Sequence, residues 1–230
     1  MFHFKYFSVN HAQSSMKVGT DAVLLGAWMP VPFNCQSILE IGSGCGVISL
    51  MLAQRTGATI TGIDIDKNSV NEAQKNAENS IWNKRISFFQ ENVQDFSQKT
   101  KKKFDTIVSN PPFFQNCLKS PKTSRNISKH NDNLPLETLA STVEKLLADE
   151  GRFGVILPAE TAEKFEISAL KKCLYATKKT QIYPTRTKKC NRILLMFERE
   201  PKPCDEQRLL IRENGYTDEY KQLVGEYLLI

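Results

Sequence analysis

Apolar and β-branched residues gather in six short runs along the chain: Ser37–Ile41, Thr59–Asp64, Ile86–Gln90, Phe104–Ser109, Gly151–Leu157 and Ile193–Arg199. Each is nearly continuous rather than alternating, as expected of strands covered on both faces. Between them lie longer stretches with helical spacing, at Val47–Arg55, Lys67–Asn79, Leu136–Leu147 and Thr161–Tyr175. The alternation predicts an α/β fold, a mostly parallel sheet with helices on both faces. Two segments depart from it. Residues 1–30 read as a strand pair followed by a helix from Thr20, and Asp66 is placed to cap the helix at Lys67–Asn79. Asn110–Pro135 is too long and polar for an ordinary connection, and such loops often carry function.

The chain has 230 residues, 40% of them hydrophobic and 24% charged, enough to bury a core and too apolar for disorder. It is expected to form one domain, 1–230, in which 1–35 is an extension and 36–230 the core. No apolar run reaches the roughly 18 residues of a membrane helix. The first ten residues lack the pattern of a secretory signal. The six cysteines form no C-x-x-C pair, so zinc spacing is absent and a reducing cytoplasm fits best.

Charge changes the picture through its placement. The net charge is +6, yet Lys164–Arg192 alone carries nine basic residues against Glu166, leaving the remainder about neutral. Lys119–His130 adds four more without an acid. Two asymmetric clusters suggest a surface facing a polyanion, with Arg125, Lys129, Lys171, Lys172, Lys178, Lys179, Arg186 and Lys188 as candidate contacts.

The run ILEIGSGCGVISLMLA reads as strand, glycine-rich turn and helix. Gly42, Gly44 and Gly46 permit a sharp turn and close approach of a ligand to backbone. The helix that follows offers free N–H groups and a partly positive end. A dinucleotide fingerprint needs glycine where Val47 stands, so the pattern is instead E-x-G-x-G-x-G with Glu40 on the preceding strand. It resembles motif I of class I methyltransferases. The second strand ends in Asp64, 18 residues past Gly46, where a carboxylate can accept from a ribose diol.

The strand Phe104–Ser109 runs into Asn110-Pro111-Pro112-Phe113. An amine on a nucleobase shares its lone pair with the ring and is a poor nucleophile. Two acceptors on its N–H groups, the Asn110 side-chain oxygen and the Pro111 carbonyl, would favour a tetrahedral nitrogen. The prolines hold the loop rigid, and Phe113 offers a stacking face. No metal is needed for such a transfer. In a doubly wound sheet the glycine turn and this loop should meet at the switch point between the first and fourth strands.

FKYFSVN…MKVGTDAVLLGAW, the glycine turn, NPPFF and the C-terminal LLIREN-GYTDEYKQL together resemble the bacterial tRNA1(Val) (adenine-37-N6)-methyltransferase family over most of the chain. The resemblance implies a Rossmann-like, seven-stranded class I methyltransferase fold. It implies methyl transfer from S-adenosylmethionine to N6 of adenine 37 in a tRNA, by a cytoplasmic monomer. Donor contacts implied are Thr20, Asp21, Glu40, Gly42, Gly44, Gly46, Asp64, Ile65, Asn92 and Asn110, with Asn92 at the adenine. Lys17, Gly19, Thr20 and Asp21 would close over the donor's methionine end, although Thr20 or Asp21 could instead cap the helix. Asn110, Pro111 and Phe113 would be catalytic. Three competing readings are weaker. Guanine-N2 methyltransferases of ribosomal RNA share NPPF but are longer, and protein glutamine methyltransferases usually carry NPPY and a helical N-terminal domain. A purely RNA-binding module would have no use for Asn110, Pro111 and Phe113.

Overall fold

The computed structural model describes residues 1–112 and 134–230. A short strand pair, β1 (Phe2–His3) and β2 (Ser8–Val9), leads to helix α1 (Thr20–Trp28). The core then runs β3 (Ser37–Ile41), α2 (Val47–Arg55), β4 (Thr59–Asp64), α3 (Lys67–Glu78), β5 (Ile86–Gln90), α4 (Val93–Lys99) and β6 (Phe104–Ser109). It continues α5 (Leu136–Leu146), β7 (Leu147–Pro158), α6 (Ala159–Leu170), β8 (Tyr175–Thr185), β9 (Arg192–Glu198), β10 (Asp205–Arg212) and α7 (Asp218–Val224).

The main sheet has the order β10-β8-β9-β7-β6-β3-β4-β5. Its β3–β7 part is parallel throughout, β9 is antiparallel to both neighbours, and β10 returns parallel to β8. Among the described residues the sheet therefore has eight strands rather than the expected seven. The additional strands lie in sequence that lacks a long apolar run. β8 buries Thr177, Thr180 and Ile182 between lysines and glutamine, and the first half of β10 is exposed at the sheet edge. For the same reason the helix expected over Thr161–Tyr175 stops at Leu170, and Tyr175 opens β8.

Two apolar layers sandwich the sheet. Leu24 of α1, Leu50 and Met51 of α2, Val70 and Ala73 of α3 and Tyr220 of α7 pack on one face. Val93 of α4, Leu139 and Val143 of α5 and Phe165 of α6 pack on the other. Burial of these side chains, each contributing about 1.5–3 kcal/mol, is the main driving term for the fold. Asp66 caps α3 as expected, accepting from the backbone N–H of Asn68 and Ser69. The alternative in which Thr20 or Asp21 caps α1 is not what forms: Gly19 occupies the N-cap. No helix among the described residues is long and apolar enough to cross a membrane.

Candidate active site

The chain leaves β3, builds β4 and β5 on one side, and returns to form β6 on the other side of β3. That reversal leaves a crevice beyond the strand ends, where α/β sheets bind ligands. Ile41 and Ser109 are register partners at the ends of β3 and β6. The Ser109 hydroxyl donates to the Ile41 carbonyl at 2.9 Å, tying the two exits together. The glycine turn and the Asn-Pro-Pro loop are thus adjacent, at one end of the sheet.

Gly42, Gly44 and Gly46 all have positive φ, at 72°, 51° and 79°. A Cβ at Gly42 or Gly44 would meet nothing within 4 Å, so the turn presents open backbone there. At Gly46 a Cβ would lie 2.7 Å from the Phe88 ring and 3.1 Å from Ala73, so glycine is required by packing as well as by conformation. The turn is held from below. The backbone N–H groups of Gly42 and Ser43 donate to the Ile63 carbonyl, at 2.9 and 3.0 Å. The N–H of Gly44 donates to Asp64 Oδ2 at 2.8 Å, while Asp64 Oδ1 accepts from the Asp66 N–H at 2.9 Å. Burial raises the pKa of the Asp64 carboxyl despite these bonds.

Glu40 lies beneath the turn and is only 1% exposed. Its Oε2 accepts from the Ser49 N–H at 3.0 Å and from the Ser49 hydroxyl. It thereby supplies α2 with the cap that Gly46 cannot. Burial pushes its pKa up to about 8, against the pull of those bonds. Asn92 is the N-cap of α4, and its oxygen accepts from the Gln94 N–H at 2.8 Å. Ile65 follows Asp64 as a 43% exposed apolar surface at the same sheet end.

Asn110 Oδ1 is buried yet has no hydrogen-bond partner among the described residues, and Pro111 beside it is buried. An unsatisfied buried carbonyl oxygen is costly unless a ligand supplies the donor. Phe113, Arg125, Lys129 and His130 lie outside the described residues.

The arm before α1 is fastened to α3 by residues that sequence reasoning did not single out. Glu72 accepts from the N–H of Gln13 and Ser14 and from the Ser14 hydroxyl. Burial works to raise its pKa, but these bonds outweigh it and leave the carboxyl below its usual range. Asn76 bonds both ways with the Asn10 backbone and donates to the Cys45 carbonyl in the glycine turn at 2.9 Å. Their signal in the sequence is faint, two polar residues four apart among the buried Ser69, Val70, Ala73 and Ala77 of α3. Asp21 pairs with Arg192 of β9 at 2.7 Å, while Thr20 is exposed.

The fold does not keep the basic segment together. Helix α6 starts at the site end, and its 12 residues carry Lys171 and Lys172 about 18 Å toward the other end. There they line a groove of about 520 Å³ with Lys145, Gln98 and Ser168, away from the glycine turn. Lys179 pairs with Glu166 at 2.7 Å, and Lys178 lies over the Trp28 ring on the opposite sheet face. Arg186 and Lys188 stand in the β8–β9 turn, at the site end.

Residues 9–137 match the family model of the methyltransferase small domain. A Bacteroides fragilis protein named tRNA1(Val) (adenine(37)-N6)-methyltransferase is 39% identical over 231 residues, covering 99% of this chain and 97% of its own. A relative of the same name from Flavobacterium psychrophilum is also 39% identical and covers 100% and 99%. The chain belongs to the tRNA1(Val) (adenine(37)-N6)-methyltransferase family. In fold it is similar to the crystal structure of a predicted O-methyltransferase from Agrobacterium tumefaciens, with TM-score 0.72 over 90% of this chain and 96% of that one at 16% identity. As a methyltransferase, the chain has its glycine turn and its Asn-Pro-Pro turn where the fold's switch point requires them.

Proposed function

We propose that this methyltransferase moves a methyl group from S-adenosylmethionine to the N6 amine of adenine 37 in a tRNA. When bound, S-adenosylmethionine supplies a methyl group already activated on a sulfonium. The site fits that donor. Open backbone at Gly42 and Gly44 would accommodate its methionine end, Asp64 would accept from the ribose, and Ile65 would offer an apolar face to the adenine. The Asn92 oxygen already caps α4, so its bond to the adenine amine would use the second lone pair. Thr20 and Asp21, carried by the arm that Glu72 and Asn76 hold on α3, would cover the donor.

One observation carries the catalytic reading: the buried oxygen of Asn110, without a partner among the described residues, beside the glycine turn. It and the Pro111 carbonyl would accept the two N–H groups of the target amine. That draws the lone pair out of the ring and points it toward the donor crevice. Proximity and preorganised acceptors then supply the catalysis. Phe113 would stack on the base, and Arg125, Lys129 and the basic residues at the site end of the segment, Arg186 and Lys188, would hold RNA phosphates. The same reading places the enzyme in the cytoplasm as a monomer. Asn110→Ala tests it. Donor affinity is expected to stay near wild type while methylation falls on the order of 10²-fold or more. Normal turnover by this variant would remove the acceptor role.

A further inference from the structure

The register of the outer strands shows a surface that the segment's charge alone did not reveal. Ser109 pairs with Val155, Val155 with Leu195, and Leu195 with Lys179, so these four share one level of the sheet. Thr185 follows Lys179 by six residues and pairs with Arg212 of β10. At roughly 3.3 Å per residue, β8 and β10 run on for about 20 Å past the level of the β6 end. The sheet therefore overhangs the site on its β10 side.

The two faces of the overhang differ. Lys178, Thr180 and Ile182 point to the α1 side, where Lys178 meets Trp28, Thr180 accepts from the Trp28 indole and Ile182 joins the core. Lys179 points to the α6 side, onto Glu166. By alternation Gln181 and Tyr183 follow Lys179, and the 3.0 Å bond from the Tyr183 hydroxyl to Gln181 Oε1 places them together. Tyr183 pairs with Leu210, and Gln181 with Arg208. Tyr183 and Leu210 are part-exposed and belong to neither apolar layer, while Arg208 is exposed. Above them the β8–β9 turn carries Arg186, Lys188 and Lys189, and Arg186 pairs with Glu213 of the β10–α7 turn at 2.7 Å. Charges on an edge strand alone serve to prevent edge pairing. A tyrosine and a leucine left part-exposed on the same face do not serve that end.

We propose that this face is a binding surface for unpaired RNA nucleotides, resting on the RNA substrate of the preceding reading. Tyr183 and Leu210 form the floor on which a base stacks. Arg208 and the cations of the turn meet phosphates flanking it. The surface adjoins the site on one side, so a loop whose target base enters the crevice can lay its neighbouring nucleotides along β8.

The test uses the whole enzyme, unmodified tRNA1(Val) transcript in an anisotropy titration, and S-adenosylmethionine in calorimetry. Tyr183→Ala is expected to raise the RNA Kd about tenfold through lost stacking. Reversal of Arg186, Lys188 and Lys189 to Glu should flatten the slope of log K against log salt by about 2–3. Reversal of Lys171 and Lys172, at the other end of α6, should change RNA affinity less than about twofold. Should Tyr183→Ala disturb folding, Arg208→Glu on the exposed edge decides, with an expected loss of about fivefold. Wild-type methylation of the transcript with all overhang variants binding RNA as wild type does would overturn the surface alone. Absence of RNA binding and methylation in the wild type would overturn the preceding reading and the surface together.

Discussion

The two halves of the sheet are built differently. The half carrying the glycine turn, β3 to β6, is parallel and buried most fully at β3 and β6, and its turns are fixed by backbone geometry: three glycines with positive φ, a carboxylate under the turn, prolines in the loop. The outer half, β8 to β10, mixes strand directions, buries threonines as well as aliphatic residues, exposes Arg208 and leaves Tyr183 part-exposed. A small donor of fixed shape needs a rigid crevice, whereas a polyanion needs reach and charge. The glycine-turn half should thus be intolerant of substitution and the outer half tolerant in stability while sensitive in RNA affinity.

The largest expected effect falls on the glycine-turn half. Gly46→Ala places a Cβ 2.7 Å from Phe88 at a φ of 79°. A loss of about 2–4 kcal/mol is expected in chemical denaturation, together with weakened donor binding. A stable variant with normal affinity would show that the turn is softer than its geometry implies. Next, Asp64→Ala leaves the Gly44 N–H without its partner and removes the ribose acceptor. Donor Kd should rise about tenfold, near 1.4 kcal/mol in calorimetry. Unchanged affinity would assign the ribose to another group.

Glu40 gives the comparison a pH axis. Its folded pKa of about 8 lies above the ordinary carboxylate value, so the folded chain holds a proton that the unfolded chain has released. Its contribution to stability is therefore fully present below about pH 4.5 and is lost as pH rises to about 8. Glu40→Gln should remove that part of the decline between pH 5 and 8, read as melting temperature against pH. An identical profile in both proteins would mean that the carboxyl is ionised when folded. The smallest effect is expected at the link between the halves. Asp21 and Arg192 are each roughly a third exposed, so Asp21→Asn should cost less than about 1 kcal/mol. A loss several times larger would make α1 dependent on β9.

Legibility in the sequence followed the same division. β3 to β6, helices α2 and α3 and the two turns were readable because parallel strands are nearly continuous apolar runs punctuated by glycine and proline, whereas the short helix α4, with Val93 as its one buried residue, was not. Asp66 as a cap and the adjacency of the two turns also followed. β8 and β10 were not readable, because an outer strand pairs backbone while its side chains stay polar. Nor could linear spacing separate Lys171 and Lys172 from Arg186 and Lys188, which a helix and a strand carry to opposite ends of the sheet. Glu40 was readable as part of the motif, but its cap on α2 depends on a strand and a helix meeting in space. The grip of Glu72 and Asn76 on the arm joins residues about 60 positions apart and leaves almost no local trace.

The most direct measurement is labelled methyl transfer from S-adenosylmethionine into total RNA of a strain lacking the enzyme, followed by nucleoside analysis. N6-methyladenosine is expected in one tRNA, and is expected to be lost with Asn110→Ala. Label recovered in N2-methylguanosine or in protein, or N6-methyladenosine formed equally by the variant, would contradict it.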